Sequence, residues 1–470
     1  MKLSLQENVL TLLCYSDLGA GVASGLVHLQ LFDNEIYRRI ADRAVRHYRK
    51  FGKAPKAHIA DLLDAELTGR DRKAEAYRQA LKDLHYVYKE GFNEEFILSS
   101  LREFLTQQRL KAGIVESAKL VQLGDFDKAS DVILKAISQH DAAFDPGVSL
   151  RDARAVLNKL ETEPPAFKMG IPPFDKLGIG PVRKGLLTFM APTNRGKTWG
   201  LIHIGKHCLM QRLKVLHVTL EMSEAKILSR YLQSLFALVR GHEKQRVRYT
   251  VLSRRQGIYR GHRFKYLRRK ALSSDSGLLL VKKRLTQQHL AHRFKLIVKE
   301  FPTASLSIKE LSAYLDLLER TEKFIPDVLI IDYADLMDID TQLLRVDTGR
   351  VYKELRGLGV KRNLAVITAT QSNRQGEDAR YIGLKHMSED YSKAAISDVV
   401  LTYNQTPSEK QLGLARLYAA KVRDERSGFT VVISQSYESG QFNTDAALLL
   451  RPEEYLAEVA NGADAPADDS

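Results

Sequence analysis

The stretch Leu187-Thr-Phe-Met-Ala191-Pro-Thr-Asn-Arg195-Gly196-Lys197-Thr198 decides how the chain is read. It leaves a short aliphatic strand, turns, and enters the apolar helix TWGLIHIGKHCLMQ. From Ala191 onward it matches the phosphate-loop pattern GxxxxGK[ST], with Ala191 in place of the first glycine. The chemistry of the pattern is specific. Backbone N–H groups of a loop that opens a helix surround a phosphate, and Gly196 lets the backbone approach it closely. Lys197 reaches the β- and γ-phosphates, and the Thr198 hydroxyl ligates Mg²⁺. Ala191, Asn194, Arg195, Gly196, Lys197, Thr198 and Trp199 are therefore the candidate nucleotide-binding residues, and the implied cofactors are ATP and Mg²⁺.

Outward from this loop, short aliphatic strands alternate with helices from about residue 169 to 452, which predicts an α/β domain with a parallel-rich central sheet. The strand segments are 185–191, 214–220, 327–332, 363–370 and 398–403, followed by an antiparallel hairpin at 414–422 and 429–437. Three strand ends carry polar groups. Asp332 follows Val-Leu-Ile-Ile and suits a second Mg²⁺ contact through water; an Asp at that place is also a common turn former. Glu221 ends a strand just before Ser223 and a new helix. It either faces the γ-phosphate as a base or offsets the helix dipole. Gln371 ends a third strand, where an amide could sense the γ-phosphate.

Residues 1–145 have apolar residues at three- and four-residue spacing and predict an all-helical N-terminal domain, with Gly52 and Gly124 as helix stops. Residues 146–168 form a linker with an amphipathic helix striped by Leu150, Val156, Leu157 and Leu160. That helix packs either on its own domain or on a neighbouring subunit. The last segment, 453–470, is acidic and expected to be a disordered tail.

Two cysteines, Cys14 and Cys208, exclude a Cys-rich zinc site, and the absence of an HExxH pair or an 18-residue apolar run argues against a zincin or a membrane protein. The N-terminus makes a poor signal peptide, so a cytoplasmic protein is expected. The net charge of +15 points to a polyanionic partner, and it is concentrated. Residues 241–290 hold fourteen Lys and Arg against Glu243 and Asp275. Tyr249, Tyr259, Phe264 and Tyr266 interleave with these cations, so the basic insertion at about 241–297 is a candidate nucleic-acid surface or a solvated one.

Five blocks in order resemble the replicative DNA helicases of the DnaB family, built on a RecA-like P-loop ATPase domain. They are GIPPFDKLGIGPVRKGLLTFMAPTNRGKT, VLHVTLEMSEAKILSRYLQSL, PDVLIIDYADLM, AVITATQSNR and AAKVRDERSG. The resemblance runs from Gly170 to about Phe442. It implies Glu221, Lys197 and Gln371 as catalytic residues in one subunit, with Arg423 and Lys421 acting across the interface of a homohexamer. It further implies translocation on single-stranded DNA, unwinding at a replication fork in the 5′ to 3′ sense, and a primase and a helicase loader as partners. Arg345, Arg350, Arg374, Arg380 and Lys385 are the candidate DNA contacts. Departures from the family pattern, HMSEDYSKAAISD, Asp424 and the basic insertion, suggest a phage-like or mobile-element branch. The competing reading is an ATP-switched DNA-binding assembly protein, either a loader or a recombinase-like filament former. A scaffold that has lost hydrolysis is disfavoured by Lys197, Glu221 and Arg423.

Overall fold

A computed structural model describes the chain apart from residues 1–4, 18, 22–31, 33, 90–93, 127, 130–131, 134–149, 151–152, 163, 194–195, 288–289, 339–343, 374–381, 385–391 and 464–470. For several helical residues, among them 94–104 and 344–347, it describes the backbone alone. The chain divides into two compact units, Met1–Glu161 and Thr162–Ser470.

The first unit is helical throughout its described residues. Its longer helices span Leu5–Tyr15, Glu35–Phe51, Arg72–Lys89 and Glu94–Gln122. Asn34 opens the second by accepting the Ile36 N–H, and Gly52 closes it at φ 67°, its N–H bonded to the Tyr48 carbonyl. A left-handed residue there favours glycine because it has no Cβ to clash. Leu10, Leu13, Ile40, Ala44, Tyr77 and Leu84 meet in one apolar core. The helix Ala153–Thr162 leaves Leu157 and Leu160 58% and 65% exposed, so this stripe is not packed away.

The second unit is α/β, as the alternation of segments predicts. Among the described residues its sheet has eleven strands in the order β3-β4-β11-β10-β9-β8-β1-β7-β6-β2-β5. The strands β1 (Leu186–Ala191), β2 (Val215–Thr219), β5 (Leu296–Glu300), β6 (Val328–Asp332), β7 (Ala365–Gln371) and β8 (Val399–Asn404) form the parallel part. β1, β2, β6 and β8 are buried along their whole length, because helices cover both faces of a parallel sheet. β9 (Leu414–Val422), β10 (Thr430–Ser436) and β11 (Gln441–Leu449) continue it in antiparallel fashion.

Two expectations need correction. The insertion ends before 297: Leu296 and Ile297 belong to β5, the edge strand paired with β2. Most of the basic segment's cations lie on an antiparallel hairpin, β3 (Gln245–Arg255) and β4 (Ile258–Arg269), turning at Gln256 and Gly257, followed by a helix, Asp275–Lys282. The segment from Glu453 is not a disordered tail through 463. It lies in a helix, Pro452–Ala463, that buries Tyr455, Leu456 and Val459 against Leu414, Val432 and Leu449. Those apolar side chains recur at helical spacing and outweigh the acidic composition. Residues 464–470 lie outside the described set. No helix among the described residues is long and apolar enough to cross a membrane.

Candidate nucleotide site

Parallel strands place their C-terminal ends along one edge of the sheet, and ligands bind in the crevice there. In register, Ala191 lies beside Gln371, and Thr219 beside Asp332. The Leu220 N–H donates to the Asp332 carbonyl at 2.9 Å, which brings Glu221 to the same edge. Lys197 and Thr198 open the helix Lys197–Met210 directly above, and both are buried. The topology thus assembles four sequence-distant segments around one loop.

Gly196 sits at φ 74° immediately before that helix, and a Cβ there would lie 2.7 Å from the Tyr437 hydroxyl. The position needs glycine on both counts. Asn194 and Arg195 lie outside the described residues. Trp199 packs against the core and over Tyr437, with ring centroids 5.9 Å apart.

Asp332 is fully buried, and neither carboxylate oxygen has a well-formed hydrogen bond, although the Thr198 hydroxyl is close enough to favour the charged form. Burial pushes the Asp332 carboxyl up to about 6, and Glu221 adds to the rise while Arg230 and Lys197 oppose it. A buried carboxylate without partners is costly unless something else satisfies it. A hard cation between Asp332 and the Thr198 hydroxyl is the kind of group that does so, so these residues fit Mg²⁺.

Gln371 bridges two parts of the site. Its Nε2 donates to the Tyr333 hydroxyl at 2.9 Å, and its Oε1 accepts from the Thr193 hydroxyl at 3.3 Å. Lys197 Nζ lies 5.0 Å from the centre of the Tyr333 ring. The loop that carries Thr193 is therefore linked to Gln371 and Tyr333 through direct bonds. Ser223 occupies the N-terminal cap position of the helix Glu224–Phe236 without a side-chain capping bond; Glu300 of β5 accepts the Glu224 N–H instead, at 3.1 Å.

Two residues absent from the sequence reading join the site. Arg230, on that helix, stacks 5.1 Å over Trp199 and feels both Asp332 and Glu221. Burial, aided by Arg240, lowers its pKa, and the two carboxylates resist that fall. Tyr333 follows Asp332 directly. Adjacency to Asp332 is the signal that could have found Tyr333; Arg230 had none beyond lying on the helix that follows Glu221.

Lys421 and Arg423 are elsewhere. Lys421 pairs with Val400 and Val422 with Val399, at the start of β8, and β8 begins level with Leu187 at the start of β1. They therefore lie at the opposite end of the parallel strands from Lys197, roughly 15–20 Å away by strand rise. Arg423 pairs with Asp398 at 2.6 Å, and Arg356 shares the same carboxylate at 3.1 Å. Lys421 Nζ donates to the Ala394 and Ala395 carbonyls, both at 2.8 Å. Of the DNA candidates, Arg345 and Arg350 fall on the helix Leu344–Arg362, where Arg350 is exposed, and Arg374, Arg380 and Lys385 lie outside the described residues.

Over 261 residues, 53% of this chain and 47% of the relative, the sequence is 24% identical to the DnaB-like replicative helicase of enterobacteria phage T4. The chain thus spans about half the length of that curated relative. A solved structure of a DnaB-like replicative helicase, reported with its interactions with primase, matches with a TM-score of 0.56. The match covers 95% of this chain and 99% of that one at 14% identity. No protein-family model matches the chain. The chain is similar in sequence to a phage DnaB-like helicase and has the fold of such a helicase, a parallel-rich α/β unit preceded by a helical one.

Proposed function

We propose that the chain is an ATP-dependent DNA helicase that works as a hexameric ring, translocating 5′ to 3′ on single-stranded DNA and unwinding duplex at a replication fork in the cytoplasm. The observation that carries this reading is the division of the catalytic set. Lys197, Thr198, Asp332, Glu221 and Gln371 converge at one end of the strands, while Arg423 and Lys421 lie at the other, out of reach of their own phosphate loop. Such a set is complete only when a second copy supplies its far end. The exposed Leu157 and Leu160 stripe offers an apolar surface for assembly between copies.

In this reading the loop N–H groups and Lys197 hold the β- and γ-phosphates, and Thr198 and Asp332 would hold Mg²⁺, which would supply charge neutralisation there. Glu221 accepts a proton from the attacking water, and Gln371 reports γ-phosphate loss to Tyr333 and Thr193. The neighbour's Arg423, aided by Lys421, stabilises charge on the transferring group, a contribution of about 10³–10⁵ in rate. Arg345, Arg350, Arg374, Arg380 and Lys385 contact the DNA strand. The helical unit is the docking surface for a primase, and a loader places the ring on DNA.

ATP-dependent separation of a forked duplex, wild type beside Glu221→Gln, tests the reading. Unwinding by wild type alone supports it. Hydrolysis without strand separation favours the ATP-switched assembly protein, and full activity in the variant removes Glu221 as the base.

A further inference from the structure

The hairpin β3–β4 holds ten Lys and Arg between Gln245 and Lys270 and no acidic residue. Its residues alternate between two faces: Val247 and Tyr249 share one with Arg263 and Lys265, and Arg246, Arg248 and Leu252 share the other with Phe264, Tyr266 and Arg268. Val247, Tyr249, Leu252 and Tyr259 are buried, and Tyr249 donates to the Ser439 hydroxyl at 2.7 Å. The buried tyrosines are therefore not available to stack on a ligand, contrary to the sequence expectation. Arg255, Arg260, Arg263, Lys265, Arg268 and Lys270 are exposed. The two remaining aromatics are exposed as well, Phe264 by 42% and Tyr266 by 45%. Each carries a guanidinium on its ring, Arg248 at 4.7 Å over Phe264 and Arg246 at 4.6 Å over Tyr266.

The hairpin is laid on the body of its unit. The Leu448 N–H donates to the Gly257 carbonyl at its tip, Arg254 pairs with Asp445 at 2.7 Å, and the Leu252 N–H donates to Asp445. A ribbon tied down at its turn cannot stand off to enter a duplex groove. One face presents a platform of cations and flat rings, Arg246, Arg248 and Arg268 beside Phe264 and Tyr266, the combination that tracks a phosphate backbone and stacks unpaired bases. Crowding ten cations into a hairpin that has no acid of its own is unfavourable for the free protein, and a polyanion relieves it.

The geometry points to a second nucleic-acid site on this hairpin, outside the nucleotide crevice, that binds a single strand through Arg246, Arg248 and Arg268 and stacks bases on Phe264 and Tyr266, all on one face. The inference deepens the helicase reading by adding a strand-holding surface to it, and its test is separable from that reading.

The full-length protein is titrated without nucleotide onto a fluorescein-labelled oligothymidine strand and onto a duplex, across a salt series. Replacing the three arginines by alanine should lower the salt slope on the single strand by about 2, at roughly 0.7 per cation lost. The Arg→Lys version should keep the slope. Phe264→Leu with Tyr266→Leu should weaken single-strand binding about tenfold or more at unchanged slope. An unchanged slope in the alanine variant, an equal loss in the charge-preserving one, or a loss confined to duplex overturns the proposal. ATP hydrolysis and fork unwinding are followed on the same preparations. Wild type that fails to unwind while the slope still falls breaks the helicase reading alone; unwinding that persists with an unchanged slope breaks the hairpin site alone.

Discussion

The two ends of the parallel strands are built from similar residue types and behave differently. At the C-terminal end, Lys197 and Asp332 are buried around a loop, and Asp332 is left without well-formed hydrogen bonds. At the N-terminal end, Arg423 and Arg356 share Asp398, which also accepts the Leu186 N–H at 2.9 Å, so every charge already has a partner. One end is unfinished in the free chain and the other is satisfied. An unfinished buried site is poised for a ligand, whereas a satisfied, partly exposed one can release a side chain at modest cost.

The strongest way to break this contrast is Arg423→Ala. Steady-state ATP hydrolysis should fall about 10³–10⁵-fold. Mixing that variant with Glu221→Gln subunits should restore part of the activity, because some interfaces then combine an intact base with an intact arginine. No recovery on mixing would mean that Arg423 acts within its own subunit or not at all. Next in size, Glu221→Gln should lower kcat by about 10²–10⁴ with nucleotide affinity retained, measured by single-turnover hydrolysis and fluorescent-nucleotide binding.

A third test uses the other buried lysine of the phosphate-loop helix. Among the described residues Lys206 has the Gln441 amide oxygen at 3.3 Å as its hydrogen-bond partner, and burial pushes it down to about 8. Its unfolded value is near 10.5, so the native chain binds fewer protons between about pH 8 and 10.5, and native stability rises with pH through that window. Lys206→Met should therefore stabilise the protein by roughly 1–3 kcal/mol below pH 8, with the gain vanishing near pH 10.5. Denaturant midpoints at pH 7 and pH 10 read this directly, and equal gains at both would sink it. The smallest effect belongs to Arg356→Ala. Asp398 keeps Arg423 and the Leu186 N–H, so the loss in chemical-denaturation stability should stay near ~1 kcal/mol.

The convergence of segments at the candidate nucleotide crevice was legible because its signals are local. A strand, a tight loop and a capped helix lie within a dozen residues of Lys197, and Asp332 and Gln371 each end an aliphatic run. Arg230 was not legible, since its role depends on how the helix Glu224–Phe236 turns towards Trp199. The hairpin was not legible and the Pro452–Ala463 helix was misjudged for a common reason. Charge content masked periodicity: Val247 and Tyr249 alternate with Arg246 and Arg248 ahead of a Gln256-Gly257 turn, and Tyr455, Leu456 and Val459 recur at helical spacing among acids. The opposite position of Arg423 follows from strand direction, which no short motif encodes.

Where the sheet stops also matters for how the protein behaves in a crowded cell. β3 ends one side of the sheet, and the hairpin covers Val432, Ala447 and Leu449 with Leu252 and Tyr259. Without it, these aliphatic side chains beside β11 would be bare, a surface for edge-to-edge aggregation. The hairpin thus works as a lid over the end of the sheet through its apolar residues, and excising it should yield insoluble protein where point substitutions on its outer face do not.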